Sequence, residues 1–569
     1  MSDPTSVLPP IAADVQGDDR RHQELVRERF ARIVREHPGY ATYFGIHTED
    51  DRLADLSRNA VMAELEAERA FLADVEALDA ESMSPSEAID RELSIISAKR
   101  SIFDTEVQRL WERRANACDE IGDGLFLLFA RDFAPLADRL RSMTGRLEAA
   151  PAAIEQIRTR IGDKPVRLWN ELELDSAGSL PTLFDEVIAT GQAEFGAESP
   201  DQQRLEAAAA LATTALDSYK EWLKEVIARS VDDFALGGAD YDRLIALRAF
   251  DGLTTDEILA IGYEQLAVNH QGRADAAREM DPDATEAEVL DRIKSDHPTT
   301  FEEALDGYRD VMFRARDFIV EHGIATVPPE DLEVVPTPEY LRKVMPFAAY
   351  FAPAPFDRDP RGIYVVTPSV DGDPGAMREH NRCSISNTSI HEAYPGHHQQ
   401  LAAANHHPSL ARLLVDAPEF VEGWGMYTEQ MMREEGFDNT PAHRVIMYTD
   451  AIWRACRIIL DIRLHRGEIG VDDAIDYLVA ETGFERPNAT AEVHRYTSTP
   501  TYQLSYLLGK VLLLRLREDE RRRLGGDFSL KDFHDALLYS GSLPVSFHRR
   551  LLAGEGGGPT MPALGGRAA

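Results

Sequence analysis

Between residues 389 and 400 the chain reads Ser-Ile-His-Glu-Ala-Tyr-Pro-Gly-His-His-Gln-Gln, which puts His391, Glu392, His397 and His398 inside eight residues. The stretch is a lengthened relative of the His-Glu-x-x-His helix of zinc peptidases. There two histidines one turn apart bind Zn²⁺, and the glutamate handles the proton of the attacking water. Six residues separate His391 from His397, which on a regular helix is about 600° and off a common face. Seven residues separate His391 from His398, which restores the face but leaves them about 10 Å apart along the axis. Two bonds of about 2.1 Å cannot span that gap. Pro395 and Gly396 resolve the conflict if the helix bulges at Tyr394-Pro395-Gly396 and returns one histidine to the metal. His397 is the expected second ligand, with His398 left open. Without a metal, the same stretch reads as a helix end carrying exposed histidines.

A third ligand is expected downstream, in Pro418-Glu-Phe-Val-Glu-Gly-Trp-Gly-Met-Tyr-Thr-Glu429. Glu422 and Glu429 are seven apart and share a helix face. Phe420, Val421, Trp424, Met426 and Tyr427 mark the segment as buried, and buried carboxylates need partners. Glu422 is therefore read as the ligand and Glu429 as a carboxylate that orients a histidine. The alternative is that both lie on a solvated face of a very acidic chain.

The formal net charge of −38 opposes nucleic acid and anionic membrane surfaces. Cys118, Cys383 and Cys456 are few and widely spaced, which argues against disulfides or a cysteine metal site. The first 23 residues contain no apolar signal core, and no segment reads as a membrane span. A cytoplasmic location is expected.

Along the 569 residues, positions 1–20 read as a flexible arm, 21–325 as a helical half, 326–553 as the half with the chemistry, and 554–569 as a flexible tail. Helical periodicity is expected over 122–148, from Pro151 to 161, over 255–275 with a cap at Thr255, and through most of 489–510. The character changes at 325, after which 325–368 carries nine prolines. Tyr364-Val365-Val366-Thr367 reads as a short strand, and an edge strand beside a zinc helix holds extended substrate. Asp371 to Asn381 reads as a surface loop. The fold class is mainly α, with a small β element near the zinc helix.

Eleven of the seventeen histidines fall between His380 and His548, which places the chemistry in the C-terminal half. His406 and His407 precede a proline and are expected to be exposed. Amide hydrolysis also needs a donor for the oxyanion. Tyr506 leads the candidates, with Arg495, and with Tyr364, Tyr496 and Tyr502 as substrate contacts. Tyr502 and Tyr506 are four apart, as on one helix face.

The segment His391-Glu-Ala-Tyr-Pro-Gly-His-His398 resembles the signature of the bacterial domain-of-unknown-function family 885, whose members are related to thermolysin-like and neurolysin-like zinc peptidases. Tyr40 to His47 with Asp51-Arg52-Leu53, Thr337 to Arg342 with Pro346 to Phe351, and Glu422 to Glu429 resemble further family segments. The resemblance implies a large helical zinc-peptidase-like fold with two halves flanking a cleft and one zinc ion. It carries over to His391, His397 and Glu422 as ligands and to Glu392 as general base. Family members read Arg-Tyr followed by Pro-Gly-Gln near the C-terminus, whereas here Arg495-Tyr496 is kept but Thr501-Tyr502 follows Pro500. A change in specificity is expected there.

The leading expectation is a zinc-dependent hydrolase that cleaves amide bonds in short peptides. The alternatives are a tailoring amidase or lyase on a modified small molecule, and a non-catalytic helical binding protein.

Overall fold

The structure is a computed structural model that describes residues 4–337, 342, 348–368 and 375–562. It is mainly helical, with one small three-stranded sheet. The chain divides into two compact units, Met1–Phe234 with Ala354–Pro360, and Ala235–Pro353 with Arg361–Ala569.

In the first unit, two long helices, Leu136–Arg160 and Pro200–Ala228, pack along one another. Each carries an unbroken stripe of buried residues three and four apart. One is Leu140, Met143, Leu147, Ala150, Ile154 and Ile157, and the other is Leu205, Ala208, Ala212, Leu216, Tyr219 and Leu223. That spacing makes one apolar face per helix, and the alanines let the backbones approach. The helix expected over 122–148 is two, Ala117–Ala130 and Leu136–Arg160, divided ahead of Pro135. Proline disfavours helical geometry in the residue before it. Pro151 starts no helix and lies inside the second, which accepts the loss of one backbone bond. The segment Ala354–Pro360 returns to this unit, where Phe356 N–H donates to the Phe44 carbonyl (3.0 Å) and Asp357 meets His47.

The second unit holds the sheet and the signature stretch. Strands β1 (Asp331–Pro336), β2 (Ala348–Phe351) and β3 (Arg361–Val366) lie in the order β1-β3-β2. β3 runs parallel to β1 and antiparallel to β2. The strand read from Tyr364 onward is therefore the central one, and Tyr364, Val365 and Val366 are all buried. The edges are β1 and β2. The helix Thr255–Met280 is capped one residue earlier than expected, where Thr254 and Glu257 satisfy each other's backbone N–H groups.

Five helices build the site: α1 (Arg382–Glu392), α2 (His397–Ala404), α3 (Pro418–Glu434), α4 (Pro441–His465) and α5 (Ser505–Leu524). The expected helical run through 489–510 is interrupted: a helix ends at Tyr496, and Tyr502–Leu504 form a 3₁₀ turn ahead of α5.

At the termini, a helix begins at Gly17, inside the expected flexible arm. Thr560, within the expected tail, bonds to His407 and Ser540. Residues 563–569 of that tail, residues 371–374 of the expected surface loop and most of 338–347 lie outside the described residues. No helix among the described residues is long and apolar enough to cross a membrane.

Candidate metal centre

The signature stretch is not one bulged helix, as its sequence suggested, but two helices with a break between them. The Asn381 side chain caps α1 by accepting from Ser384 N–H (2.9 Å). The helix ends at Glu392, Ala393 leaves helical geometry at φ −104°, ψ −96°, and the Tyr394–Pro395 peptide is cis. Pro395 offers no N–H and its ring excludes a continuing turn, so the ladder stops there. α2 then starts afresh at His397. Gly396 makes the junction possible, since a Cβ at that position would stand 1.8 Å from the His391 carbonyl oxygen. Trp424 of α3 pins the break by donating from Nε1 to the Pro395 carbonyl (2.7 Å).

The break lets two histidines six residues apart converge. His397 Nε2 lies 3.4 Å from Glu422 Oε2, and His391 Nε2 lies 3.7 Å from the same oxygen. Ligand atoms bonded at ~2.0–2.1 Å around a tetrahedral ion stand about 3.3–3.4 Å from one another. One ligand atom from each of the three side chains fits within 4.8 Å, the only such grouping among the described residues. Gly425 makes room for the His391 ring, because a Cβ there would lie 2.6 Å from its Cε1.

The charge balance also suits a cation. Burial opposes protonation of His391, yet the carboxylates of Glu422 and Glu429 carry its pKa up to about 10. Burial alone would raise the Glu422 carboxyl, but the two imidazoles hold it well below the usual carboxylate range. Two buried imidazoles and one half-buried carboxylate, closely set, are a donor set that zinc takes.

Behind the three lies a supporting layer. Glu429 Oε1 faces His391 Nδ1 at 2.7 Å, which aims Nε2 at Glu422. Asn387, one turn before His391, donates to Glu429 (3.0 Å) and to Asp450 of α4 (2.9 Å). Tyr502 donates its hydroxyl to Glu422 Oε1 (3.0 Å) and so steadies the carboxylate.

His398 stands apart. Its Nδ1 meets the Tyr350 hydroxyl and its Nε2 the Glu330 carbonyl, each at 3.0 Å. Both ring nitrogens are engaged, and of the two histidines it is His397 that stands beside the Glu422 oxygen. His406 and His407 are half-buried rather than exposed, bonded to Glu330 and Thr560.

A cavity of about 310 Å³ opens beside the triad, and Glu392, Tyr506, Asp450, Arg454, Arg457 and the strand residues Ala348 to Tyr350 line it. Glu392 is half-buried there. Several expected contacts lie elsewhere. Tyr364 is fully buried against Tyr308, because β3 is central rather than an edge. Tyr496 is fully buried and donates to Glu492 (2.7 Å), and Arg495 pairs with the same carboxylate at 3.1 Å. Neither lines the cavity: Arg495 reaches it through Glu492, which holds Arg457, and the Tyr496 hydroxyl also accepts from Arg457 Nε (3.4 Å). Tyr502 contacts Glu422 and does not line the cavity. Sequence reasoning missed Asn387, Asp450, Arg454 and Arg457. Asn387 alone carried a signal, four residues before His391 on the same helix. A larger cavity of about 580 Å³ in the first unit, beside His37, Glu64 and Arg160, brings no three metal-ligating side chains together among the described residues.

A family model described as "Bacterial protein of unknown function (DUF885)" matches residues 38–552. The chain belongs to this family. Two solved structures share the fold of this DUF885 chain. One is described as a putative lipoprotein of unknown function from Shewanella oneidensis; it is 24% identical, with a TM-score of 0.76 over 94% of this chain and 99% of that one. The other is described as the putative lipoprotein from Colwellia psychrerythraea; it is 18% identical, with a TM-score of 0.81 over 94% and 98% of the two chains. No curated protein matches the DUF885 chain.

Proposed function

We propose that this DUF885 protein is a zinc-dependent hydrolase that cleaves amide bonds in short peptides, with a site akin to that of the His-Glu-x-x-His peptidases. The observation that carries the reading is the convergence of His391 Nε2 and His397 Nε2 on one oxygen of Glu422, at 3.7 and 3.4 Å. His391, His397 and Glu422 would hold the ion. Zn²⁺ bound there supplies a Lewis acid that brings the pKa of its water towards 7.

The chain's own groups do the rest. Glu392, next to His391 and lining the cavity, takes a proton from the water that adds to the amide carbonyl. It passes that proton to the nitrogen as the C–N bond breaks, leaving a carboxylic acid and an amine. Tyr506 donates its hydroxyl to the oxyanion that forms in between. β2, at the edge of the sheet and facing the cavity through Ala348 and Ala349, holds an extended peptide by backbone hydrogen bonds.

Metal analysis of the purified protein, paired with a screen of short peptides, tests the reading. About one zinc per chain is expected, with peptide hydrolysis that Glu392→Gln lowers at least 100-fold while zinc stays bound. Hydrolysis that survives in a zinc-bound Glu392→Gln variant would sink the mechanism. Full zinc occupancy with no peptide cut would move the reading to an amidase acting on a modified small molecule. The cytoplasmic location expected from the sequence belongs to this proposal. The descriptions of both solved relatives point the other way, and cell fractionation decides between them.

A further inference from the structure

Arg457 is the least explained charge at the site. It is 3% exposed, and its guanidinium packs on two aromatic rings, 4.1 Å from the Trp453 centroid and 4.4 Å from that of Tyr506. One edge is pinned, since Nε donates to Glu492 at 3.2 Å and Nη2 donates to the same carboxylate at 2.9 Å. Nη1 is buried and has no hydrogen-bond partner. The residue lines the metal-site cavity, three positions along α4 from Arg454, whose Nε is also buried without a partner. Glu492 serves Arg495 as well as Arg457, so the cluster keeps one positive charge in excess. A buried charged donor left unmatched is costly unless a ligand completes it.

From the orphaned Nη1 of Arg457 in the triad's own cavity we propose that Arg457, supported by Arg454, receives the free C-terminal carboxylate of the substrate. The inference rests on the zinc-hydrolase reading above and names its substrate class. A planar carboxylate matches the flat fork of a guanidinium that two rings and the Glu492 carboxylate hold in place. A phosphate dianion fits worse, because Glu392 and Asp450 line the same cavity. At about 310 Å³ the cavity is at the small end of ligand pockets. Arg457 and the triad line this one small cavity, which sets the bond that breaks close to the carboxylate end of the peptide. The enzyme then trims peptides from their C-terminal end.

The test uses zinc-loaded full-length protein and pairs of synthetic tri- and tetrapeptides, each made as the free acid and as the C-terminal amide. Free acids are expected to react at least about 10-fold faster in kcat/KM, with the preference falling towards one in Arg457→Met at unchanged zinc content. Equal rates for acid and amide in the wild type overturn the carboxylate subsite and leave the hydrolase reading standing, and this comparison holds even if the variant fails to fold. If neither series is cut, the peptide-hydrolase reading fails, and calorimetry with N-acetylated amino acids against their amides decides the subsite. Binding selective for the acid and lost in Arg457→Met supports it. Binding without that selectivity, or no binding, overturns it.

Discussion

Glu429 Oε1 stands 2.7 Å from His391 Nδ1, two helical turns beyond Glu422 on the same face of α3. One helix thus supplies both the carboxylate at the convergence point and the carboxylate that aims an imidazole at it. Replacing Glu429 by Gln keeps the size but removes the charge. Zinc affinity, measured by competition with a chromogenic chelator, is expected to drop about 10–100-fold. Unchanged affinity would mean that Glu429 only fills space.

The two adjacent histidines separate cleanly by experiment. His397→Ala is expected to lose zinc. His398→Ala is expected to keep it, but to lose about 2–4 kcal/mol of unfolding free energy in urea, because a fully buried side chain bridging α2 to Tyr350 and Glu330 is gone. Loss of zinc from the His398 variant at full structure would overturn the assignment.

Gly425 offers a test in which the sign is reversed. In an ordinary helix Gly→Ala stabilises by about 1 kcal/mol. Here the added methyl carbon would stand 2.6 Å from the His391 ring. Gly425→Ala is therefore expected to destabilise by about 1–3 kcal/mol and to weaken zinc binding. A rise in melting temperature with zinc retained would contradict the geometry.

A pH dependence is expected in the first unit. His47 lies between Asp50 and Asp357 at 2.8 Å from each and stacks on Phe133 at 3.6 Å. Burial works against its charge, but the two carboxylates raise its pKa from 6.5 to about 9. The folded protein therefore holds this proton more tightly than the unfolded chain. The resulting stability is complete below about pH 6.5 and is lost as pH rises towards 9, a change on the order of 3 kcal/mol. Urea unfolding at pH 6 and pH 9.5 should show this loss in the wild type and a much smaller one in His47→Gln.

The parts of this site that sequence periodicity could reach are those on regular helices. Glu422 and Glu429 sit seven apart on an unbroken helix, so their shared face follows from 3.6 residues per turn. His397 and His398 could not be separated, because Ala393 to Gly396 follow no helical period and only their dihedral angles set which ring turns inward. Arg457 and Asp450 lie on a helix whose pattern says only that one side is apolar, and tertiary packing brings them beside the triad. The place of Tyr364 was misread for a similar reason. A strand's alternation says which residues are buried, but strand order decides whether it is an edge, and β1 and β2 take those places. The family model matches residues 38–552, a span that periodicity could not have delimited.

The break between α1 and α2 also changes how the site tolerates insertions and deletions. In a single-helix zinc motif the ligand spacing is locked to the helical repeat, and one inserted residue rotates the second ligand by about 100°. Here the register between His391 and His397 is stored in a four-residue hinge clamped by Trp424 and cleared by Gly396. Residues could be added to α1 ahead of Asn387, or to α2 beyond Gln400, without altering the angle between the two imidazoles. A single insertion between Ala393 and Gly396 would leave both helices intact and erase the binding site.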